Sequence, residues 1–203
     1  MQPFIKLFSF LLVLLIVSSC KNTYTPKPRS YFRIYFPERG YKTYDSLCPF
    51  IFDFPIYAKV EKDKTKNAKP CWLNVVYKPF NATIHITYKK FKDKDGLYKL
   101  TEDTRTLVYK HTVKAEKIKE ELIVQKDKVS GMFYELRGNT ATSYNFFLTD
   151  SVENYIYASL YFSAKANSDS LQPVLDFIKV DIKKMIATFD WKKEENYFIK
   201  KNE

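Results

Sequence analysis

Apolar residues alternate along most of this 203-residue chain, and in two places that rhythm gives way to spacings of three and four. The change of period constrains the fold more than any other feature. Alternation buries one face of a strand, whereas a period of about 3.6 buries one stripe of a helix. Tyr31 to Phe36 reads as a strand ended by Pro37, and Phe50-Ile51-Phe52-Asp53-Phe54 places three phenylalanines on one face before Pro55 stops it. Trp72 to Tyr77 and Ala82 to Tyr88 form a predicted hairpin around Lys78-Pro79-Phe80-Asn81. Ala82, Ile84, Ile86 and Tyr88 share one of its faces, and Thr83, His85 and Thr87 share the other.

Leu97, Leu100, Thr104, Leu107, His111, Ala115 and Ile118 then follow the helical spacing, with Gly96 just ahead of them. Four strand-like runs come next: Glu121 to Gln125, Val129 to Leu136, Thr140 to Leu148 and Tyr155 to Phe162. The links between them, Lys126-Asp127-Lys128, Gly138-Asn139 and Asp150-Ser151, are short enough to imply an antiparallel meander. Ser170 can cap a second helix with Pro173 in its first turn, and Val174, Ile178, Ile182, Met185, Ile186 and Phe189 form its apolar stripe up to Trp191. Together these elements predict an α+β fold, an antiparallel sheet of about seven strands with two main helices packed on it. Strands, helix, meander and helix in that order resemble the Mog1/PsbP type of fold, a likeness of topology that carries no function with it.

The N-terminus has a different character. Met1 to Lys6 carries a positive charge, Leu7 to Val17 is apolar except for Ser9, and Ser18-Ser19-Cys20 follows. A bilayer-spanning helix needs about 20 apolar residues, so this shorter run suits the hydrophobic region of an export signal. Residues 1–19 are expected to be removed. Val17-Ser18-Ser19-Cys20 resembles the lipobox read by lipoprotein signal peptidase, which makes Cys20 the acylated mature N-terminus and a lipid anchor. The alternative, an ordinary secretory signal with a chance cysteine, is disfavoured because hydrophobic length, small residues and thiol coincide. Each buried methylene of an acyl chain contributes about 0.8 kcal/mol to membrane attachment. Cys20-Lys21-Asn22-Thr23 lacks the aspartate that commonly retains lipoproteins in the inner membrane and lacks an acidic export cluster, so the periplasmic face of the outer membrane is favoured. Residues 20–30, with Pro26 and Pro28, read as a short lipid-anchored stalk, 31–191 as a single α+β domain and 192–203 as a charged tail.

Lys and Arg total 34 against 23 Asp and Glu, a net charge of +11 that becomes +10 when Lys6 leaves with the signal. A basic envelope domain can meet an anionic lipid surface, a wall polymer or an acidic protein, and export argues against nucleic acid. Most of the lysines fall in runs with interleaved acids, such as Lys59 to Lys66, that read as solvated loops. Cys48 and Cys71 are the thiols left beyond the anchor, and an exported setting permits a bridge between them without requiring it.

Chemistry-bearing patterns are weak. His85 and His111 lie in no metal-binding motif, and the place of His111 on the helical stripe favours a hydrogen-bonded core histidine. His85 sits with Thr83 and Thr87 on a sheet face that is either exposed or covered by a helix. Thr149-Asp150-Ser151 and Asn167-Ser168-Asp169-Ser170 place hydroxyls beside acids, as turns and helix caps also require. Asn81-Ala82-Thr83 fits a glycosylation sequon that an exported bacterial protein is not expected to use. No catalytic residue, cofactor, metal or small-molecule substrate is therefore expected.

The ordered segments Thr25-Pro-Lys-Pro-Arg-Ser-Tyr-Phe-Arg-Ile34, Pro49-Phe-Ile-Phe-Asp-Phe-Pro55, Cys71-Trp-Leu-Asn-Val75, Ala82-Thr-Ile-His85, Tyr109-Lys-His111, Phe146-Phe-Leu-Thr-Asp-Ser151 and Asn167-Ser-Asp-Ser-Leu171 resemble the gliding-motility lipoprotein GldD family of Bacteroidota. The chain departs from that pattern at Tyr157-Ala158-Ser159, where Arg-Gly is usual, which removes any role tied to an arginine there. The resemblance implies a non-enzymatic envelope component required for gliding and for type IX protein secretion, working with other gliding-motility lipoproteins. It assigns no catalytic residues. As a partner surface the polar turns at Thr149, Asp150, Ser151, Asn167, Asp169 and Ser170 are the candidates. The alternative function is a periplasmic module that binds an anionic wall or lipid polymer through its lysine runs.

Overall fold

A computed structural model describes residues 33–125, 128–163 and 168–192. The expected signal, Cys20, the stalk, Asn167 and all of the tail except Lys192 lie outside the described residues. The fold belongs to the compact unit Ile34–Glu203.

The chain forms β1 (Tyr41–Asp45), β2 (Phe50–Pro55), β3 (Lys59–Lys62), β4 (Leu73–Tyr77), β5 (Ala82–Lys90) and helix α1 (Lys94–Tyr109). After a short 3-10 turn come β6 (Ala115–Gln125), β7 (Val129–Gly138), β8 (Thr142–Thr149), β9 (Asn154–Phe162), helix α2 (Ser168–Thr188) and β10 (Asp190–Trp191). A seven-stranded sheet runs in the order β3-β4-β5-β9-β8-β7-β6, every pair antiparallel. A three-stranded sheet, β1-β2-β10, accompanies it.

The two helices cover opposite faces of the large sheet, and alternation within single strands shows it. Phe133, Phe146 and Ile156 join the core cluster beneath α2, whereas their neighbours Tyr134, Phe147 and Tyr155 join a second cluster with Val108 of α1. The predicted α2 stripe is buried throughout, from Val174 to Phe189. It packs against β2, whose three phenylalanines are at most 7% exposed. Strand and helix therefore solve one another's burial problem.

The structure departs from the sequence expectations in four places. Residues 33–40 form no strand; Ile34 and Phe36 still pack on the core, with the Phe36 ring stacked on Phe177 at 4.7 Å. The strand comes later, at Tyr41–Asp45, where β2 supplies the pairing that the polar sequence does not advertise. The first helix ends at Tyr109, and Ala115 and Ile118 lie in β6, which pairs with β7 from Ala115 onward. In α1 itself Thr104 and Val108 are buried and Leu97 and Leu100 pack on the second cluster, while Leu107 is 47% exposed. His111 consequently falls in the 3-10 turn and is half-buried, outside the core. The run Lys59 to Lys66 is only partly loop, since Lys59–Lys62 form edge strand β3, whose lysines discourage pairing with another chain. Finally, α2 begins at Ser168, so Ser170 lies inside the helix and Pro173 past its first turn. Burial of the following stripe outweighs the hydrogen bond that Pro173 cannot donate.

Cys48 and Cys71 are joined as a disulfide with Cα atoms 5.5 Å apart, tying the β1–β2 turn to the segment entering β4. In the loop-entropy account a closed loop of this size stabilises by about 3 kcal/mol. Cys48→Ser and Cys71→Ser are each expected to lower the urea midpoint correspondingly, and the double variant to lower it no further than either one. A double variant as stable as the parent would show that the bridge constrains nothing.

Candidate functional site

The turn between β8 and β9 is built around one carboxylate. Asp150 Oδ1 accepts the backbone N–H groups of Val152, Glu153 and Asn154, each at 2.9 Å, and Oδ2 accepts the Asn154 side-chain amide at 2.5 Å. Burial opposes its ionisation, but the hydrogen bonds from Asn154, Val152 and Glu153 outweigh it and hold the carboxyl below its ordinary range. Thr149 is buried and donates to the Asn154 carbonyl at 2.8 Å, and Ser151 occupies left-handed backbone at φ +61°. The Asp150 carboxylate is thus engaged inside its own turn, and what faces outward is Ser151 and Val152, the latter 71% exposed. Asp169 and exposed Ser170 sit in the first turn of α2. The structure does not bring these two predicted groups together, because they adjoin opposite ends of β9.

A second polar constellation escaped the sequence because its members are far apart along the chain. Asp181, wholly buried in the middle of α2, accepts from Arg39 Nη1 at 3.2 Å and Tyr41 at 2.9 Å on Oδ1, and from Tyr57 at 2.7 Å on Oδ2. The Arg39 guanidinium also lies 4.1 Å from the Phe177 ring centroid. Burial pushes the Asp181 carboxyl up, and the hydrogen bonds from Tyr57 and Tyr41 and the charge of Arg39 pull it back only in part. Nearby, the Tyr77 hydroxyl is buried with no partner among the described residues. This cluster fastens the segment before β1 to α2. Its one signal in the sequence is an aspartate interrupting the apolar stripe of α2, beside Ile182 and Ile178.

A third feature runs across the large sheet on its α1 face. Asn74, His85, Ser159 and Asn145 are consecutive cross-strand partners on β4, β5, β9 and β8. Asn74 Oδ1 lies 2.7 Å from His85 Nδ1. An amide oxygen can only accept, so Nδ1 carries the proton and Nε2 is left as an acceptor. Burial lowers the affinity of His85 for a second proton, against a weaker opposing influence from Asp63. Asparagine, histidine and serine are the residue types of an orienter, base and nucleophile. Here, however, the Ser159 hydroxyl is directed to Tyr157, and Tyr157 donates to Asn145 Oδ1 at 2.8 Å. The row is a hydrogen-bonding surface with no nucleophile–base contact.

The remaining concavities are modest. A cleft of about 150 Å³ adjoins Glu135, whose carboxylate is already paired with Lys179 at 2.6 Å and Arg137 at 3.3 Å. A more open groove of about 730 Å³ lies between the β6–β7 turn and the end of α2. Among the described residues there is no group of His, Cys, Asp and Glu arranged to hold a metal, and no helix long and apolar enough to cross a membrane.

The sequence model described as gliding motility lipoprotein GldD matches residues 21–191. No curated protein matches the chain. Among solved structures, the chain is similar to the solution structure of cyanobacterial PsbP (CyanoP) from Synechocystis sp. PCC 6803, at 10% identity and a TM-score of 0.45, over 87% of this chain and 99% of that one.

Proposed function

Because the chain belongs to the gliding motility lipoprotein GldD family, we propose that it is a lipid-anchored envelope component that supports gliding and type IX protein secretion by docking on other gliding-motility lipoproteins, without catalysing a reaction. The observation that carries this reading is the extent of the family match, which runs from the residue after Cys20 to the last strand. The polar surfaces described above are consistent with it, since their carboxylates and hydroxyls are engaged with one another. Cys20 anchors the protein, on the periplasmic face of the outer membrane. The turn at Thr149–Ser151 and the positions Asn167, Asp169 and Ser170 remain the proposed contacts.

The second reading, binding of an anionic wall or lipid polymer, is favoured by Lys62, Lys64, Lys66 and Lys69, all exposed on and beside β3. One experiment in a gliding host separates the two. Deletion should abolish spreading and adhesin secretion, the parent gene should restore both, and Cys20→Ala should restore neither. A strain carrying K62E, K64E and K66E should glide normally under the docking reading and fail under the polymer reading. A deletion strain that spreads and secretes like its parent would end both.

A further inference from the structure

The α1 face of the large sheet is only partly covered, because α1 packs over Tyr134, Phe147 and Tyr155 and leaves the β4–β5–β9 side open. There Asn74, Thr83, His85, Thr87, Tyr157 and Tyr161 are all exposed or half-buried. None of them carries a formal charge, in a chain of which 28% is charged. Of the charges beside it, Lys59 and Glu61 pair with each other at 2.9 Å, and the other, Asp63, is a carboxylate that acts on His85. The strip also holds rings at accessible positions. Tyr161 is 38% exposed and meets His85 edge to face at 5.6 Å. His85 offers Nε2 as an acceptor, and its Nδ1 contact with Asn74 fixes the orientation of both side chains. Behind the strip, the fully buried Asn145 has its carbonyl oxygen engaged by Tyr157 and Thr142, while its Nδ2 has no partner among the described residues.

Each property narrows the ligand. A polyanion needs a cluster of cationic partners, whereas here Lys59 is already paired with Glu61, Asp63 adds a negative charge beside His85, and Lys89 stands alone at the end of the face. An apolar helix or strand needs a greasy surface, and here hydroxyl, amide and imidazole groups dominate. A pyranose has an apolar C–H face and a rim of hydroxyls that both donate and accept, which matches a tyrosine ring surrounded by neutral groups of both kinds. We propose that this strip binds a neutral glycan, with the Tyr161 ring as the stacking platform and Asn74, His85 and Thr83 as its hydrogen-bonding floor. In the envelope setting proposed above the glycan would belong to the wall, although saccharide binding itself does not depend on a role in motility.

The test titrates the full-length protein, in a detergent without a sugar headgroup, with chitotriose and with cellotriose. The first carries acetamido groups and the second does not. Binding of either with a Kd of about 0.1 to 10 mM is expected, the range of a shallow neutral site. Tyr161→Ala and Asn74→Ala should each weaken it at least about fivefold, which corresponds to about 1 kcal/mol, with unchanged circular dichroism melting. Tyr161→Phe keeps the ring and should retain binding, and serves as the folding-safe comparison. The proposal is overturned if neither saccharide binds, if Tyr161→Ala and Asn74→Ala bind like the parent, or if anionic hyaluronate binds more tightly and in a salt-sensitive way.

Discussion

Asp181→Ala is expected to lower the unfolding free energy by about 3 kcal/mol, at the lower end of the range for removing one partner of a buried ion pair, because Arg39 remains about one-third exposed. The loss has several parts. Tyr41 and Tyr57 lose the acceptor of their hydroxyls, Arg39 loses its counter-charge, and a void opens in the middle of α2. Asp181→Asn should cost much less, since it keeps an acceptor and removes a charge that burial already disfavours. The pH dependence carries a definite sign. A carboxyl whose pKa is raised in the folded state binds its proton more readily folded than unfolded, so its unfavourable contribution is absent below the ordinary carboxylate value and grows as pH rises through the raised one. Relative to Asp181→Asn, the parent should therefore lose stability as pH rises across that interval. Urea titrations of the three proteins at several pH values would check this, with the m-value held constant. If Asp181→Ala unfolds at the parent's midpoint, the cluster does not fasten the segment before β1.

Gly131→Ala is expected to be at least as damaging, at about 3 kcal/mol or more with loss of folded yield, because no side chain can move to make room. An added Cβ would lie 1.9 Å from the Phe147 carbonyl oxygen, 2.9 Å from its carbon and 3.2 Å from Leu148 Cα. All three are backbone atoms of β8, with which Gly131 pairs opposite Leu148. Relief requires separating β7 from β8 inside the sheet, where hydrogen bonds of both strands would be lost. Thermal unfolding of whatever folded protein can be recovered gives the measurement. A Gly131→Ala protein that melts with the parent would mean that the two strands are less closely packed than the structure has them.

Much of the architecture was legible because burial imposes a period on the residues that undergo it. Phe50, Phe52 and Phe54, the alternating β5 positions and the α2 stripe each declare a buried face without reference to the rest of the chain. The errors fall where a partner element overrides local pattern. Ala115 and Ile118 extend the helical spacing of α1, but β7 recruits them into β6, and β2 recruits the polar Tyr41–Asp45 in the same way. The candidate sites were less legible still. Asp150 was visible because it closes a local turn with residues two to four positions away. The Asp181 cluster joins Arg39 to a residue 142 positions away, and the row from Asn74 to Asn145 depends on β5 pairing with the distant β9, so only packing on α2 or register across the sheet brings their members together.

The sequence by itself determined what is set by short-range chemistry. It supplied strands and helices declared by their own periodicity, and enough ordered motifs to mark the family. The tertiary structure alone decided where α1 stops, which aspartate is buried, that Ser159 faces Tyr157, and which strip of the sheet stays open. The physical reason is that a side chain's burial, charge state and hydrogen-bond partners belong to its neighbours in space, and in an antiparallel sheet those neighbours come from strands distant in sequence.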